Sequence, residues 1–239
     1  MGIIKADMHI HTCLSPCAEV SASPKRVVER AYRCGLTMIF ITDHNAMDNA
    51  EAAMRAAVNF EGFRVYPGME ITSREEAHTL ALFENIEDAS STQEAIHNYL
   101  PDAMGEREYK EQVIANEYDE VEGYCKKSLF SSVDMNIKDI INTVHKNNGL
   151  AIAAHIDRQS FSVISQLGFI PEDLKYDALE ISPNMQIDSA KSFFKEYAGK
   201  FNFVKGSDSH ALDWIGNVYT QFTGDNNSFF DFRYYIANR

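Results

Sequence analysis

The chain has 239 residues, with 22 basic and 35 acidic side chains and a formal net charge of −13, so it lacks the electrostatic footprint for broad capture of nucleic acid or of an anionic membrane. Its length suits one large core, and single α/β barrels commonly occupy about 200–250 residues. No stretch approaches about 18 continuous apolar residues and the N-terminus shows no basic-then-apolar leader, which points to a soluble cytoplasmic protein. Cys13, Cys17, Cys34 and Cys125 form no Cys-x-x-Cys pair and are too sparse for a disulfide framework, so reduced thiols are expected. Cys13 and Cys17 lie beside a histidine cluster but are read as small loop residues rather than ligands.

In chain order, an opening strand near Ala6–Ile10 is followed by short apolar runs at Met38–Thr42, Arg64–Tyr66, Thr79–Phe83, Leu150–Ala154, Ala178–Ile181 and Phe203–Lys205. Helical patterns lie between them, an alternation that predicts a mostly parallel sheet. Ser23-Pro24 supplies an N-cap and first-turn proline for a helix with Val27, Val28, Ala31 and Tyr32 on its apolar stripe, ending by Gly35. Asp48 or Asn49 starts a second helix that runs to Ala57, and Asn136 a third carrying Ile137, Ile140, Ile141 and Val144. A further helix spans Ser189–Tyr197, and the aromatic tail from Phe229 to Tyr235 packs as a terminal one. Residues 84–133 break the rhythm. They open on the capping-box pattern Ser91-Thr92-Gln93-Glu94 and contain a hairpin of Gln112–Ala115 with Glu120–Tyr124 across Asn116–Asp119. This stretch reads as an insertion over the barrel mouth, within one catalytic domain covering residues 1–239. Its composition leaves open substrate recognition, a lid or dimerisation.

The chemistry sits at strand ends. On an extended strand the Asp-x-His-x-His run Asp7, His9, His11 projects to one side. Asp43-His44, Glu70, His155 and Asp208-Ser209-His210 each close an apolar run, and His78 opens one. A lone His-x-His is weak evidence, but five such features at predicted strand ends make a metal cluster. Imidazole and carboxylate suit zinc, iron and manganese, and a carboxylate can bridge two ions. Asp7 and Asp43 are expected to hydrogen-bond the ligand imidazoles. His97 and His145 fall within helical patterns and are assigned to the surface.

These motifs in this order, Asp7-Met8-His9-Ile10-His11, Asp43-His44, Gly68-Met69-Glu70, His78, Ala154-His155 and Asp208-Ser209-His210, resemble those of the PHP family, named for polymerase and histidinol phosphatase domains. The likeness spans Asp7 to Gly216 and implies an α/β fold, a distorted (β/α)7 barrel with an inserted α+β segment. It further implies two or three divalent metal ions (Zn, Mn or Fe) and phosphoesterase chemistry. Carried over by position, His9, His11, Glu70 and Asp208 would hold one ion, and Glu70 would bridge to a second on His78 and His155. A third, completing a trinuclear centre, would rest on Glu19, His44 and His210. One departure matters here: many members have Ser-Asp-Gly after the opening histidines, whereas this chain has Ser15-Pro16-Cys17-Ala18-Glu19, and Glu19 is the candidate for the displaced carboxylate.

The expected reaction is hydrolysis of a small phosphate monoester or nucleotide by a metal-activated water, with Asp208 or His210 handling the proton. Arg158, three residues after His155, is the candidate phosphate ligand, and Arg74 a secondary one. Ser207 and Ser209 are turn residues, not nucleophiles. A small phosphorylated substrate is the expected partner, without a membrane or long nucleic acid. The competing readings are a metallohydrolase acting on an amide and a catalytically idle metal-binding interaction module.

Overall fold

The computed structural model describes residues 2–238. Strand β1 (Gly2–Ile10) leads through a loop to α1 (Pro24–Arg33), where the Ser23 side chain accepts the Arg26 N–H and Val27, Val28 and Ala31 form the buried stripe. Then come β2 (Met38–Ile41), α2 (Ala50–Ala56), β3 (Arg64–Thr72) and β4 (His78–Leu82). The next segment holds α3 (Ile86–His97), the single turn α4 (Glu106–Tyr109) and the hairpin of β5 (Val113–Ala115) with β6 (Val121–Tyr124). Alternation resumes with α5 (Ile137–Lys146), β7 (Leu150–Ala153), α6 (Val163–Leu167), β8 (Ala178–Ile181), α7 (Ile187–Phe193), α8 (Lys195–Ala198) and β9 (Asn202–Lys205). β10 (Thr220–Gly224) and α9 (Phe229–Ala237) end the fold.

The main sheet runs β10-β1-β2-β3-β4-β7-β8-β9. β1, β2, β3, β7, β8 and β9 share one direction, and β4 and β10 run against it. A parallel bridge between Ile10 and Ser209 brings the two sides of the sheet together, and the Thr220 hydroxyl ties β10 to both backbone groups of Lys205. The result is the distorted α/β barrel that the motifs implied. No helix among the described residues is long and apolar enough to cross a membrane.

Two apolar layers follow from strand alternation. Ile4, Ala6, Met8, Met38, Phe40, Leu80, Leu82, Ile152 and Val204 fill the interior, which α9 closes with Phe229, Phe232 and Ile236. The opposite faces of the strands, with Ile39, Ile41, Met69, Ile71 and Leu179, pack against α1, α2, α3 and α5. The pattern breaks once: β1 shifts register against β2 between Asp7 and Ile10, so that Met8 lies in the inner layer and Ile10 in the outer. A bulge of this kind re-aims side chains. It turns His9 and His11 towards the interior end and separates them from Asp7, which corrects the expectation that all three share a face.

Other expectations need correction. Ser91–Glu94 lies inside α3, whose cap is Asn85, accepting the Asp88 N–H at 2.8 Å. The helix expected over Ser189–Tyr197 is broken at Phe194 into α7 and α8. β10 has no counterpart among the predicted strands. At Asn49 the side chain leaves its own helix uncapped and instead accepts the Ala115 N–H and donates to the Val113 carbonyl and Thr12 hydroxyl, docking the hairpin on the first loop.

Candidate metal centre

Six parallel strands place their C-terminal ends on one rim, where α/β barrels build their sites. His9 and His11 come from the end of β1, His44 from beyond β2, Glu70 from β3, His155 from beyond β7, and Asp208 and His210 from beyond β9. His78 reaches the same rim for the opposite reason: β4 runs backwards, so its first residue lies there.

Glu70 is the hub. Its buried carboxylate lies 2.6 Å from His78 Nδ1, 3.1 Å from His44 Nδ1, 3.1 Å from His155 Nε2 and 3.4 Å from Nε2 of both His9 and His11. Asp208 Oδ1 stands 3.3 Å from the same two Nε2 atoms. Three groups have donor atoms mutually within 4.8 Å: His9, His11 and Asp208; His44, Glu70 and His78; His11, His44 and His210. Asn45, His155 and Asp208 adopt positive φ values of 51°, 29° and 49°, a strained conformation characteristic of functional sites.

The hydrogen-bond partners select the tautomers. A carboxylate can only accept, so Glu180, 3.0 and 3.1 Å from His9 Nδ1, requires the proton there and leaves Nε2 facing the cluster. Ser15 Oγ donates to Asp43 at 2.6 Å and therefore accepts from His11 Nδ1 at 3.0 Å. The Asp208 carbonyl accepts from His210 Nδ1 at 3.0 Å. His9 Nε2, His11 Nε2 and His155 Nδ1 are buried without a hydrogen-bond partner in the protein. The unpartnered Nε2 atoms of His9 and His11 converge with Glu70 and Asp208, a donor set that fits a divalent cation, whereas His155 meets Glu70 through Nε2 and stands outside the three donor groups.

Charge is sharply divided among these groups. Burial pushes His11 down to about 4 and His44 well below its ordinary value. At His9 burial acts the same way, but Glu180, Asp208 and Glu70 outweigh it and hold the imidazole well above its ordinary value. Burial would raise Glu70, yet His78, His9 and His44 hold it well below the usual carboxylate range, and His9 and His11 do the same for Asp208.

Several sequence expectations look different in place. Asp7 touches no imidazole: it accepts the backbone N–H groups of Ser207 and His9, and burial raises it to about 7. Asp43 accepts from Thr12 and Ser15 and reaches His11 only through Ser15. Glu19 is exposed, accepts from the Ser21 hydroxyl and stands outside all three donor groups. Cys17, at the exposed rim, lines the cavity instead. Arg158 pairs with Asp208, while its neighbour Asp157 is engaged by Ser182. Arg74 is taken up by Asp134 at 2.7 Å, away from the cavity. His97 and His145 stay outside the cluster, half-buried rather than on the open surface, and bond the Asn45 carbonyl and Asp177. Ser209 joins β9's extension to β1 through backbone bonds with His9 and His11, and Ser207 does so by donating its N–H to the Asp7 carboxylate and its hydroxyl to the His9 carbonyl. Glu180 was missed by sequence reasoning. Its signal was an acidic residue inside the apolar run Ala178–Ile181.

A sequence profile of the PHP domain matches residues 7–201, and a PHP-associated profile matches residues 188–239. The chain belongs to the PHP family. Among curated proteins no sequence matches this PHP protein significantly. Solved structures share its fold at low identity. Endonuclease Q from Pyrococcus furiosus, a lesion-specific endonuclease, superposes with a TM-score of 0.76 at 15% identity over 99% of this chain and 56% of that one. The PHP protein thus spans just over half the length of that enzyme. A Bifidobacterium adolescentis protein described as a candidate metal-dependent phosphoesterase gives a TM-score of 0.60 at 18% identity, covering 96% and 94% of the two chains. An amidohydrolase from Chromobacterium violaceum gives 0.61 at 15% identity, covering 93% of each. Family and fold together make this a PHP-domain protein built on an α/β barrel.

Proposed function

We propose that the protein hydrolyses a phosphate ester of a small substrate such as a nucleotide. The observation that carries this reading is Arg158, whose guanidinium stands at the mouth of a cavity of about 230 Å³ beside the Glu70 cluster. An anionic phosphoryl group suits a guanidinium fork next to a cationic centre, whereas an amide offers it no charge.

His9, His11, Glu70 and Asp208 would hold one cation, Glu70, His78 and His155 a second, and His44 and His210 a third with His11 rather than Glu19. Zn, Mn or Fe bound there supplies positive charge to phosphoryl oxygens and lowers the pKa of water towards neutrality. Glu180, Ser15 and the Asp208 carbonyl keep His9, His11 and His210 in the orientation and tautomer this requires. Arg158 would orient the phosphoryl group, exchanging its pairing with Asp208 for substrate. His9 and His11 hold Asp208 ionised, the form in which its carboxylate would ligate a cation. Leu129 and Phe130, from the 84–133 segment, wall the cavity.

The test is a panel of phosphate monoesters, phosphodiesters and amides run on chelated and metal-reconstituted protein, with inorganic phosphate as competitor. Reversible, metal-dependent turnover of a phosphoester with competitive inhibition by phosphate is the expected result. Turnover of amides indifferent to phosphate, or no turnover in any reconstituted form, overturns it.

A further inference from the structure

The Arg158–Asp208 pair lines two cavities at once. One holds the metal-ligand candidates and is walled by Leu129, Phe130 and Phe161. The other, about 360 Å³, is formed by Pro183, Asn184, Asn217, Val218 and Trp214. A phosphate monoester has one substituent to bury, and one cavity suffices. A phosphodiester has two, and a phosphate on this shared pair sends one into each.

Each cavity has partly exposed aromatic rings in its wall, large flat surfaces against which a ligand ring can stack. Phe161 is held at φ 58°, a conformation disfavoured for a bulky residue. Its carbonyl accepts the His78 N–H at 2.9 Å, and its ring stacks on His78 at 4.8 Å and 22° while remaining 44% exposed. One face of the ring is therefore backed by a metal-ligand candidate and the rest is open. Phe130 is 61% exposed in the same cavity, and Trp214 is 53% exposed in the other. Aromatic walls of this kind stack planar rings without reading their edges. The net charge of −13 weighs against electrostatic capture of a long strand.

We infer that the substrate is a phosphodiester joining two ring-bearing groups, of the class of a dinucleotide or a very short single strand. One ring lies against Phe161 and Phe130 and the other against Trp214. This rests on the phosphoesterase reading and narrows it. In the reaction a P–O bond forms to water, one ester P–O bond breaks, and the water proton passes to the departing oxygen, giving a monoester and an alcohol without redox change.

Trp214 is the chain's single tryptophan, so its emission reports the second cavity alone. Metal-replete protein is titrated with a slowly hydrolysed dinucleoside phosphorothioate and, separately, with a mononucleotide. The expected result is saturable quenching by the dinucleotide at a concentration where the mononucleotide produces little. In turnover, Trp214→Leu lowers the preference in kcat/KM for dinucleotide over mononucleotide about five- to hundredfold, the span of one ring stack. Dinucleotide binding without a change in emission, or an unaltered preference in Trp214→Leu, overturns the inference. If monoesters are cleaved and dinucleotides are not, the inference fails while the phosphoesterase reading stands. If no phosphoester is cleaved, that reading fails and the emission titration still decides whether paired rings bind.

Discussion

Glu180 grips His9 with both carboxylate oxygens, 3.1 and 3.0 Å from Nδ1, and its Oε2 also accepts the His155 N–H at 3.1 Å. One buried side chain on β8 thereby orients the His9 ring from β1 and anchors the backbone at His155 beyond β7. Carboxylates behind ligand imidazoles typically contribute 10–100-fold to metal affinity. Glu180→Gln, which can rotate to donate as well as accept, is expected to lose about that factor, with the far-UV circular dichroism unchanged. Competition with a chromophoric chelator measures it, and wild-type affinity in the variant would remove Glu180 from this role.

Gly206 lies against the same pair. A Cβ there would fall 2.6 Å from His9 Cβ, 3.0 Å from His9 N and 2.9 Å from Glu180 Oε1. Two of these neighbours belong to the bulged strand and have no room to yield. Gly206→Ala should therefore displace His9, with a destabilisation of about 1–3 kcal/mol from overpacking and substoichiometric metal after reconstitution. Thermal melting and elemental analysis check both, and full metal occupancy in the variant counts against so tight a fit.

Metal binding should release a proton. In the metal-free protein Glu180, Asp208 and Glu70 overcome burial to hold His9 above its ordinary value, so at neutral pH it carries a proton that a cation must displace. Affinity then rises with pH, about tenfold per unit for one proton, and levels off above the raised value. His11, at about 4, adds no such dependence near neutrality. Calorimetry in buffers of different ionisation enthalpy should count about one proton released. A count of zero across pH 6 to 8 contradicts the assignment.

Away from the centre, Asp177 accepts from His145 Nε2 at 2.9 Å and raises its pKa. A raised folded value means that the bonus is complete below the unfolded value of about 6.5 and disappears as pH climbs through the folded one. The side chain is one-third exposed, so the effect is small. His145→Gln should lower the melting temperature more at pH 5.5 than at pH 9, and an equal loss at both would show that the charge is immaterial.

Much of the fold was legible because it rests on local patterns. Ser23-Pro24 and Asn136 start α1 and α5 where expected, and Ala178–Ile181 matches β8 residue for residue. The errors arose where tertiary contacts override local preference. Ser91–Glu94 resembles a cap, but Asn85 had already started the helix six residues earlier. β10 is short and polar on alternate positions, and it pairs only because β1 offers it an open edge.

The residue types of the centre, and their arrival at strand ends, were determined by the sequence, since an apolar run followed by histidine or carboxylate is a one-dimensional signal. What the tertiary structure alone decided is where each group points. The bulge in β1 parts Asp7 from His9, the reversal of β4 carries His78 to the rim, and Glu180, not Asp7, supports the first imidazole. Likewise Cys17 rather than Glu19 faces the cavity. Side-chain direction depends on register, strand sense and loop path, and these are fixed only when separate segments close one barrel around a shared core.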